Sequence, residues 1–245
     1  MNSLEIVTHC YSGDAVPIYH KLLKKQLEYA GAEYGKAGDV RVTITVWSSS
    51  IDARTQGVLA GIKPDGKFRL RSTMLPQTHL FRRAIGRNLS AIETEADVVW
   101  FTDCDYLISR DAVEAAYREC LNADANMVHP RVVSVNKTHL IGDRVIAEDR
   151  AIVPGDFSAR RERRAIGGIQ IVKGDWCREH GYLHGTDWVK PVSADAGFRS
   201  CKCDVPFRRL CGPSTGVDIP GVYRLRHSRA GRDGGSKDHG EKTRV

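Results

Sequence analysis

No stretch of this 245-residue chain reaches the length and apolarity of a bilayer-spanning helix, which excludes a helical membrane protein. The amino terminus, MNSLEIVTHC, lacks a basic segment followed by a long apolar run, so the expectation is a soluble, cytoplasmic protein. The seven cysteines (Cys10, Cys104, Cys120, Cys177, Cys201, Cys203 and Cys211) are odd in number and lack the regular spacing of a secreted disulfide framework. CKCDVPFRRLC has no convincing second ligand pair for zinc, and its thiols are read as free. No internal repeat is present. What remains, at 41% hydrophobic and 27% charged, suits one large globular domain or two small ones with a sizeable core. The net charge of +7 and a pI near 9.1 favour partners bearing phosphate or carboxylate, without choosing between nucleotide, nucleic acid and anionic lipid.

Hydrophobic periodicity then orders the chain. LEIVTHC reads as a strand, VPIYHKLLKKQLEYAGA as an amphipathic helix and VRVTITVW as a second strand with alternating apolar residues. The helix turns Ile18, Leu22, Leu23 and Leu27 inward and leaves Lys21, Lys24, Lys25 and Glu28 wet. SSSIDARTQG carries residues that bend loops or cap helices, and a helix is expected from about Gln77, with Leu80, Phe81, Ile85 and Leu89 apolar. After the strand in DVVWFTDCDYLI, a helix begins with Ser109 as its candidate cap. NMVHPRVVSVN and AIGGIQIVKGD read as further strands. The charged EDRAIVPGDFSARRERR between them reads as a mobile or partner-dependent loop. Alternating strands and helices predict an α/β layer fold.

The chemistry concentrates where Val98, Val99, Trp100 and Phe101 give way to Asp103 and Asp105. Residues i and i+2 of an extended chain share a face, so the two carboxylates converge. Their repulsion and desolvation demand donors, water or a cation, and oxygen ligands suit Mg²⁺ or Mn²⁺. D-x-D also occurs in many soluble proteins as a helix cap. Here it follows a buried strand, with the Arg-rich helix RRAIGRNLSAIETEA immediately upstream.

This arrangement resembles the GT-A fold of nucleotide-sugar glycosyltransferases, family 2 type. The resemblance implies a Rossmann-like three-layer α/β fold around a mixed, mostly parallel central sheet. Residues 1–226 would form one catalytic domain, with a nucleotide-binding half to about 125 and an acceptor-side half over about 126–226; residues 227–245 would be a flexible basic tail. IVTHCYSGD looks like the first strand and nucleotide loop, placing Thr8, Cys10 and Tyr11 by the donor. Family members commonly carry an aspartate directly after the second strand, where this chain has Trp47 and Ser48, leaving Asp52 or a serine to contact the nucleoside. In RRAIGRN, Arg83 and Arg87 would support the nucleotide, if they are not helix-surface charges, and Asn88 would pack or bond locally.

AIGGIQIVKGDWCREHGYL resembles the segment nearest the donor sugar, with Gly167 and Gly168 permitting close backbone approach or forming a β-bulge. SADAGFR nominates Asp195 as catalytic base, or as a helix cap, with Asp187 the alternative base; the family's glutamate-aspartate pair is missing. Asp187 and Trp188 would face the acceptor. YRLRHSRAGRD offers His227 as a ligand that joins Asp103 and Asp105 around Mn²⁺ or Mg²⁺, with Arg226, Arg229 and Arg232 reaching the diphosphate.

The resemblance thus implies metal-dependent, inverting transfer of a sugar from a nucleoside-diphosphate sugar to an acceptor hydroxyl. The basic SARRERR and RLRHSRAGR allow a hydroxymethylated DNA base as acceptor, and a saccharide or protein hydroxyl fits as well. Two other classes stay open. A sugar nucleotidyltransferase shares the layer fold, but THCYSGDAVP is unlike its glycine-rich basic loop; a non-catalytic polyanion-binding protein would not need the paired aspartates.

Overall fold

Strand β1 (Ser3–His9) leads through helix α1 (Tyr19–Tyr34) into β2 (Arg41–Ser48), and α2 (Ala53–Gly61) returns the chain to β3 (Arg69–Met74). The computed structural model describes residues 2–12, 18–36, 38–64, 66, 68–147, 150–183, 185–193 and 203–227. Helices α3 (Gln77–Leu80) and α4 (Arg83–Glu93) precede β4 (Val98–Phe101), and β5 (Tyr106–Ile108) precedes α5 (Arg110–Asn122). Strands β6 (Met127–Pro130) and β7 (Val132–Asn136), helix α6 (His139–Ala147), a 3-10 turn (Pro154–Asp156) and β8 (Phe157–Arg161) follow. The chain then forms β9 (Gln170–Lys173), α7 (Gly174–His180), α8 (Thr186–Val189), α9 (Asp204–Cys211), β10 (Thr215–Val217) and β11 (Val222–Arg224).

Seven strands build the main sheet in the order β10-β6-β9-β4-β1-β2-β3, and β9 alone runs antiparallel to its neighbours. The second sheet has the order β5-β11-β7-β8. Strand β4 explains why the main sheet needs helices on both sides. Its Val98 and Trp100 join one core with Leu22, Leu23 and Leu27 of α1 and Ala112, Val113 and Ala116 of α5. Val99 and Phe101 join another with Ala84 and Ala91 of α4, Cys177 of α7 and Phe207 of α9. Period-two alternation of wholly apolar residues therefore feeds two cores, giving three layers. Each fully buried Leu, Val or Phe side chain contributes about 1.5–3 kcal/mol of transfer free energy.

Ser109 caps α5 as expected, its Oγ accepting from Ala112 N at 3.2 Å. Its own N–H donates to Gly221 O at 3.0 Å. Gly221 has φ 73°, and a Cβ there would lie 1.9 Å from Ser109 Oγ, so only glycine lets β11 start beside this cap.

Several expectations need correction. The continuous helix from Gln77 is broken at Phe81 and Arg82 into α3 and α4. NMVHPRVVSVN is two strands in different sheets, separated at Arg131. Within the segment expected to be a mobile loop, Phe157–Arg161 forms β8, which pairs antiparallel with β7 from Val132↔Arg161 to Asn136↔Phe157. Of AIGGIQIVKGD, only Gln170–Lys173 is strand. Strands β3 and β5 were not anticipated. The main sheet runs without interruption from β4 of the expected nucleotide half into β9 and β6 of the acceptor half. Among the described residues, no helix is long and apolar enough to cross a membrane.

Candidate functional site

The parallel strands β1, β2 and β4 finish side by side, and the chain leaves β4 through Thr102, Asp103, Cys104 and Asp105. In α4, Arg83 and Arg87 stand four residues apart and hence on one helix face. Both reach Asp103: Arg83 Nη1 donates to Oδ1 at 2.5 Å and Arg87 Nη2 to the same oxygen at 3.3 Å. Asp105 turns to the second sheet, where Arg224 Nε donates to its Oδ2 at 3.1 Å. Helix α1 holds the turn from beneath, because Gln26 Nε2 donates to Tyr106 O at 2.8 Å and to Asp103 O at 3.3 Å.

Arg87 is buried and ties the site together. Beyond Asp103, its guanidinium donates to Tyr182 Oη at 2.9 Å, Gln170 Oε1 at 3.4 Å, Thr102 O at 3.2 Å and Gly167 O at 2.8 Å. Burial works against its charge, but Tyr182 and Asp103 more than restore it, and the pKa rises. The next turn residue, Gly168, gives its carbonyl to Thr102 Oγ1 at 2.9 Å and Trp100 Nε1 at 3.4 Å. A Cβ on Gly168 would fall 2.2 Å from Tyr106 Cε2, so the turn backbone packs closely on the Tyr106 ring at this glycine.

The two aspartates are electrostatically unlike. Burial opposes ionisation of Asp103, yet Arg83 and Arg87 outweigh it and hold its pKa below the usual carboxylate range. Burial dominates at Asp105, reinforced by Asp103 and countered by Arg224, and its pKa is raised. Opposite shifts in neighbouring carboxylates suit different tasks.

Buried polar atoms without hydrogen-bond partners gather at the same edge: Thr8 Oγ1, both ring nitrogens of His9, and Asp105 Oδ1. Burial, then Arg87 and Arg83, keep the His9 pKa well below its usual value, so the ring is neutral at pH 7. Gly86 lets α4 settle onto it, since a Cβ there would lie 2.4 Å from His9 Nε2. Asp105 Oδ1 and an imidazole are donors that suit Mn²⁺ or Mg²⁺, and His227 is close enough to act on the Asp105 charge. Among the described residues no three His, Cys, Asp or Glu side chains are grouped to hold an ion.

Other residues nominated from sequence have protein partners. Cys10 is buried, its thiol 3.3 Å from Thr55 Oγ1. Cys104 also hydrogen-bonds Cys10, and that bond together with burial pushes the Cys104 thiol pKa well up. Tyr11 Oη accepts from Gln77 Nε2 at 2.9 Å and its ring meets Phe81 edge-on. Asp52 caps α2: Oδ1 accepts from Thr55 N at 3.1 Å, and Oδ2 from Ser12 N at 2.6 Å and Thr55 Oγ1 at 2.5 Å. Asn88 bonds across the fold, Oδ1 accepting from Tyr182 N at 2.9 Å. Arg226 turns to α6, with Nη2 3.0 Å from His139 Nε2. Trp188 packs in α8 against the second core. Asp187 is in the same helix, but its side chain, like Asp195, Arg229 and Arg232, lies outside the described residues.

Sequence reasoning passed over Arg224, His9 and Gln26. Arg224 shares its strand face with buried Val222, and nothing local in VYRLR points it to Asp105.

Compared with solved structures, the chain is similar to S. aureus TarS 1-349, with a TM-score of 0.52, 11% identity, and coverage of 92% of this chain and 60% of that one. The chain has a GT-A fold. The same TarS fragment in complex with UDP gives a TM-score of 0.52 at 11% identity, over 91% of this chain and 60% of that one. In complex with UDP-GlcNAc it gives 0.50 at 12% identity, over 91% and 58%. This GT-A chain therefore spans about 60% of the length of the TarS fragment. No protein-family model and no curated protein matches the sequence.

Proposed function

We propose that the chain is a glycosyltransferase that moves a sugar from a nucleoside-diphosphate sugar to an acceptor hydroxyl. The observation that carries this reading is the cluster of Arg83, Arg87 and Arg224 around Asp103 and Asp105 at the carboxyl edge of a GT-A sheet. Open α/β sheets bind ligands at that edge, and guanidiniums pair with phosphate oxygens through two-pronged hydrogen bonds. The TarS complexes with UDP and UDP-GlcNAc make uridine-diphosphate sugars the first donors to test.

In this reading Arg83 and Arg224 exchange their carboxylate partners for the diphosphate and stabilise the charge that gathers on the leaving group. Arg87 holds Asp103 and the Gly167 carbonyl in fixed relation. Asp105 and His227, with Asp103, would hold Mn²⁺ or Mg²⁺, which when bound supplies further positive charge to the departing diphosphate. Asp195, with Asp187 as alternative, would take the proton of the acceptor hydroxyl as it attacks the anomeric carbon from the opposite face, giving inversion. Neutral His9 and Thr8, both with unpartnered buried atoms, are available to hydrogen-bond the donor.

Thermal unfolding with a panel of nucleotide sugars, with and without Mn²⁺, tests the reading. A donor at a hundred times its Kd should add about 2.7 kcal/mol, raising Tm by roughly 5–11 °C. Stabilisation by nucleoside triphosphate plus sugar 1-phosphate, with none by any nucleotide sugar, would identify a nucleotidyltransferase instead. Undiminished metal-dependent turnover in Asp105→Asn would also remove the assigned roles.

A further inference from the structure

Away from the aspartates, the fold collects arginines from three separate segments. Arg131 joins β6 to β7; Arg160 and Arg161 end β8, with Arg163 and Arg164 just beyond; Arg208 and Arg209 lie in α9. Their proximity rests on specific contacts. Val132 pairs with Arg161, Glu162 N donates to Arg131 O at 2.9 Å, and Arg208 Nη1 donates to Ala165 O at 2.7 Å.

Glu162, Asp204 and Asp218 are the acidic residues interspersed in these segments. Glu162 is taken by Arg160, and Arg131 pairs with a highly exposed Asp218, a contact of little strength. Arg161, Arg163, Arg164 and Arg209 are exposed and make no ion pair with a described acidic residue. The segment that carries Arg160 to Arg164 leads within one turn to the candidate site. The turn that follows Arg164 is held at Ala165 by Arg208 and at Gly167 by Arg87, the residue that also grips Asp103.

We infer that this arginine surface docks the sugar-phosphate backbone of a nucleic acid that carries the acceptor hydroxyl. The inference rests on the proposed transfer reaction and names its acceptor class. All seven cations are arginines, whose planar forks match phosphate oxygens better than ammonium groups do. The exposed large apolar side chains among them are Val132 and Leu210, with no aromatic ring of the kind a bilayer interface holds. Strand β8 is the open edge of its sheet, so its charges also discourage strand pairing with other molecules. Glutamates would serve that protective purpose equally well, and charge reversal therefore isolates the polyanion role.

The test is fluorescence anisotropy with a labelled DNA duplex and its single strands, without sugar nucleotide, at 50 and 200 mM salt. Four phosphates neutralised by Arg161, Arg163, Arg164 and Arg209 give a log–log salt slope of about −3.6, so duplex binding should weaken roughly 150-fold between these salts. Combined Arg161→Glu, Arg163→Glu and Arg164→Glu should abolish binding at 50 mM salt while leaving the protein monodisperse and its Tm unchanged. The same charge change on α1, Lys21→Glu with Lys24→Glu and Lys25→Glu, should leave binding within threefold. Absence of binding to either nucleic acid form at 50 mM salt overturns the inference, as does equal loss in the two triple variants. Binding to anionic vesicles or heparin without nucleic-acid binding overturns it too. Donor-induced stabilisation, measured without nucleic acid, reports separately on the transfer reading.

Discussion

Removing the Arg87 guanidinium while keeping the bulk of its stem, as in Arg87→Met, should unfold the protein far more easily without touching its surface. The side chain is 1% exposed and serves five acceptors: Tyr182 Oη, Gln170 Oε1, Thr102 O, Gly167 O and Asp103 Oδ1. Tyr182 and Gln170 still have each other, at 2.9 Å, and Asp103 keeps Arg83. The Gly167 carbonyl has no second bond of this kind among the described residues, and Thr102 O sits at the same buried corner. Leaving two buried carbonyls unpaired costs about 1–3 kcal/mol each, about 2–6 kcal/mol together, which for a chain of this size lowers Tm by roughly 4–24 °C. Arg87→Lys retains the charge but cannot fork between Asp103 and Gly167, so it should fall between the two. Urea unfolding followed by tryptophan fluorescence gives the free energies. A midpoint for Arg87→Met indistinguishable from wild type would show that the guanidinium is not holding the turn, and the described geometry would lose its organising residue.

Acid should destabilise the protein through His9. Its folded pKa lies well below the ordinary 6.5, so the unfolded chain binds a proton that the folded chain refuses; the stabilisation is present above pH 6.5 and is lost as pH falls toward the folded pKa. Between pH 7.5 and 5.5 the wild type should lose about 1.4 kcal/mol more than His9→Gln in urea titrations, and equal losses would refute the assignment. Gly168→Ala should cost about 1–3 kcal/mol, because the methyl meets the Tyr106 ring. Gly57→Ala, with nothing within 4 Å of the new methyl and a helical backbone, should gain about 0.5–1 kcal/mol. Differential scanning calorimetry of both variants checks the contrast, and a neutral Gly168→Ala would contradict the close approach.

What could be read without coordinates follows from how local each cause is. Strand β4 and its aspartates were legible because one run of four apolar residues must be buried on both faces. Arg83 and Arg87 converge through helix periodicity alone. Arg224 was not legible: it reaches Asp105 across 119 residues, through antiparallel pairing of β11 with β5, and β5 is only three residues long. Strand β3 hid because it is an edge strand whose Arg69 and Met74 stay exposed, so little buried alternation remains. β8 hid for the same reason, with arginines at its solvent edge. Asp52 could be read as an acidic residue in a capping-prone loop. Its cap on Thr55 N is local, whereas its bond from Ser12 N depends on the parallel pairing of β1 with β2.

The site's charge balance bears on how donor and cation would bind under the proposed reaction. Three guanidiniums face two carboxylates, so before substrate arrives the negative charges are already spoken for. The arginines differ in freedom: side-chain exposure is 25% for Arg83 and 31% for Arg224, against 1% for Arg87. The first two can turn to a diphosphate; the third cannot leave its carbonyls. When Arg83 and Arg224 turn, Asp105 loses its cation and Asp103 keeps only Arg87, and carboxylates stripped of compensating charge beside one another are strongly disfavoured. That loss is what would create demand for Mn²⁺ or Mg²⁺, so donor and cation should each raise the other's affinity by the same factor. The expected signature is a Tm shift with both ligands that exceeds the sum of the separate shifts, and one that disappears in Asp105→Asn. Strictly additive shifts would mean that the arginines keep their carboxylates when the donor binds.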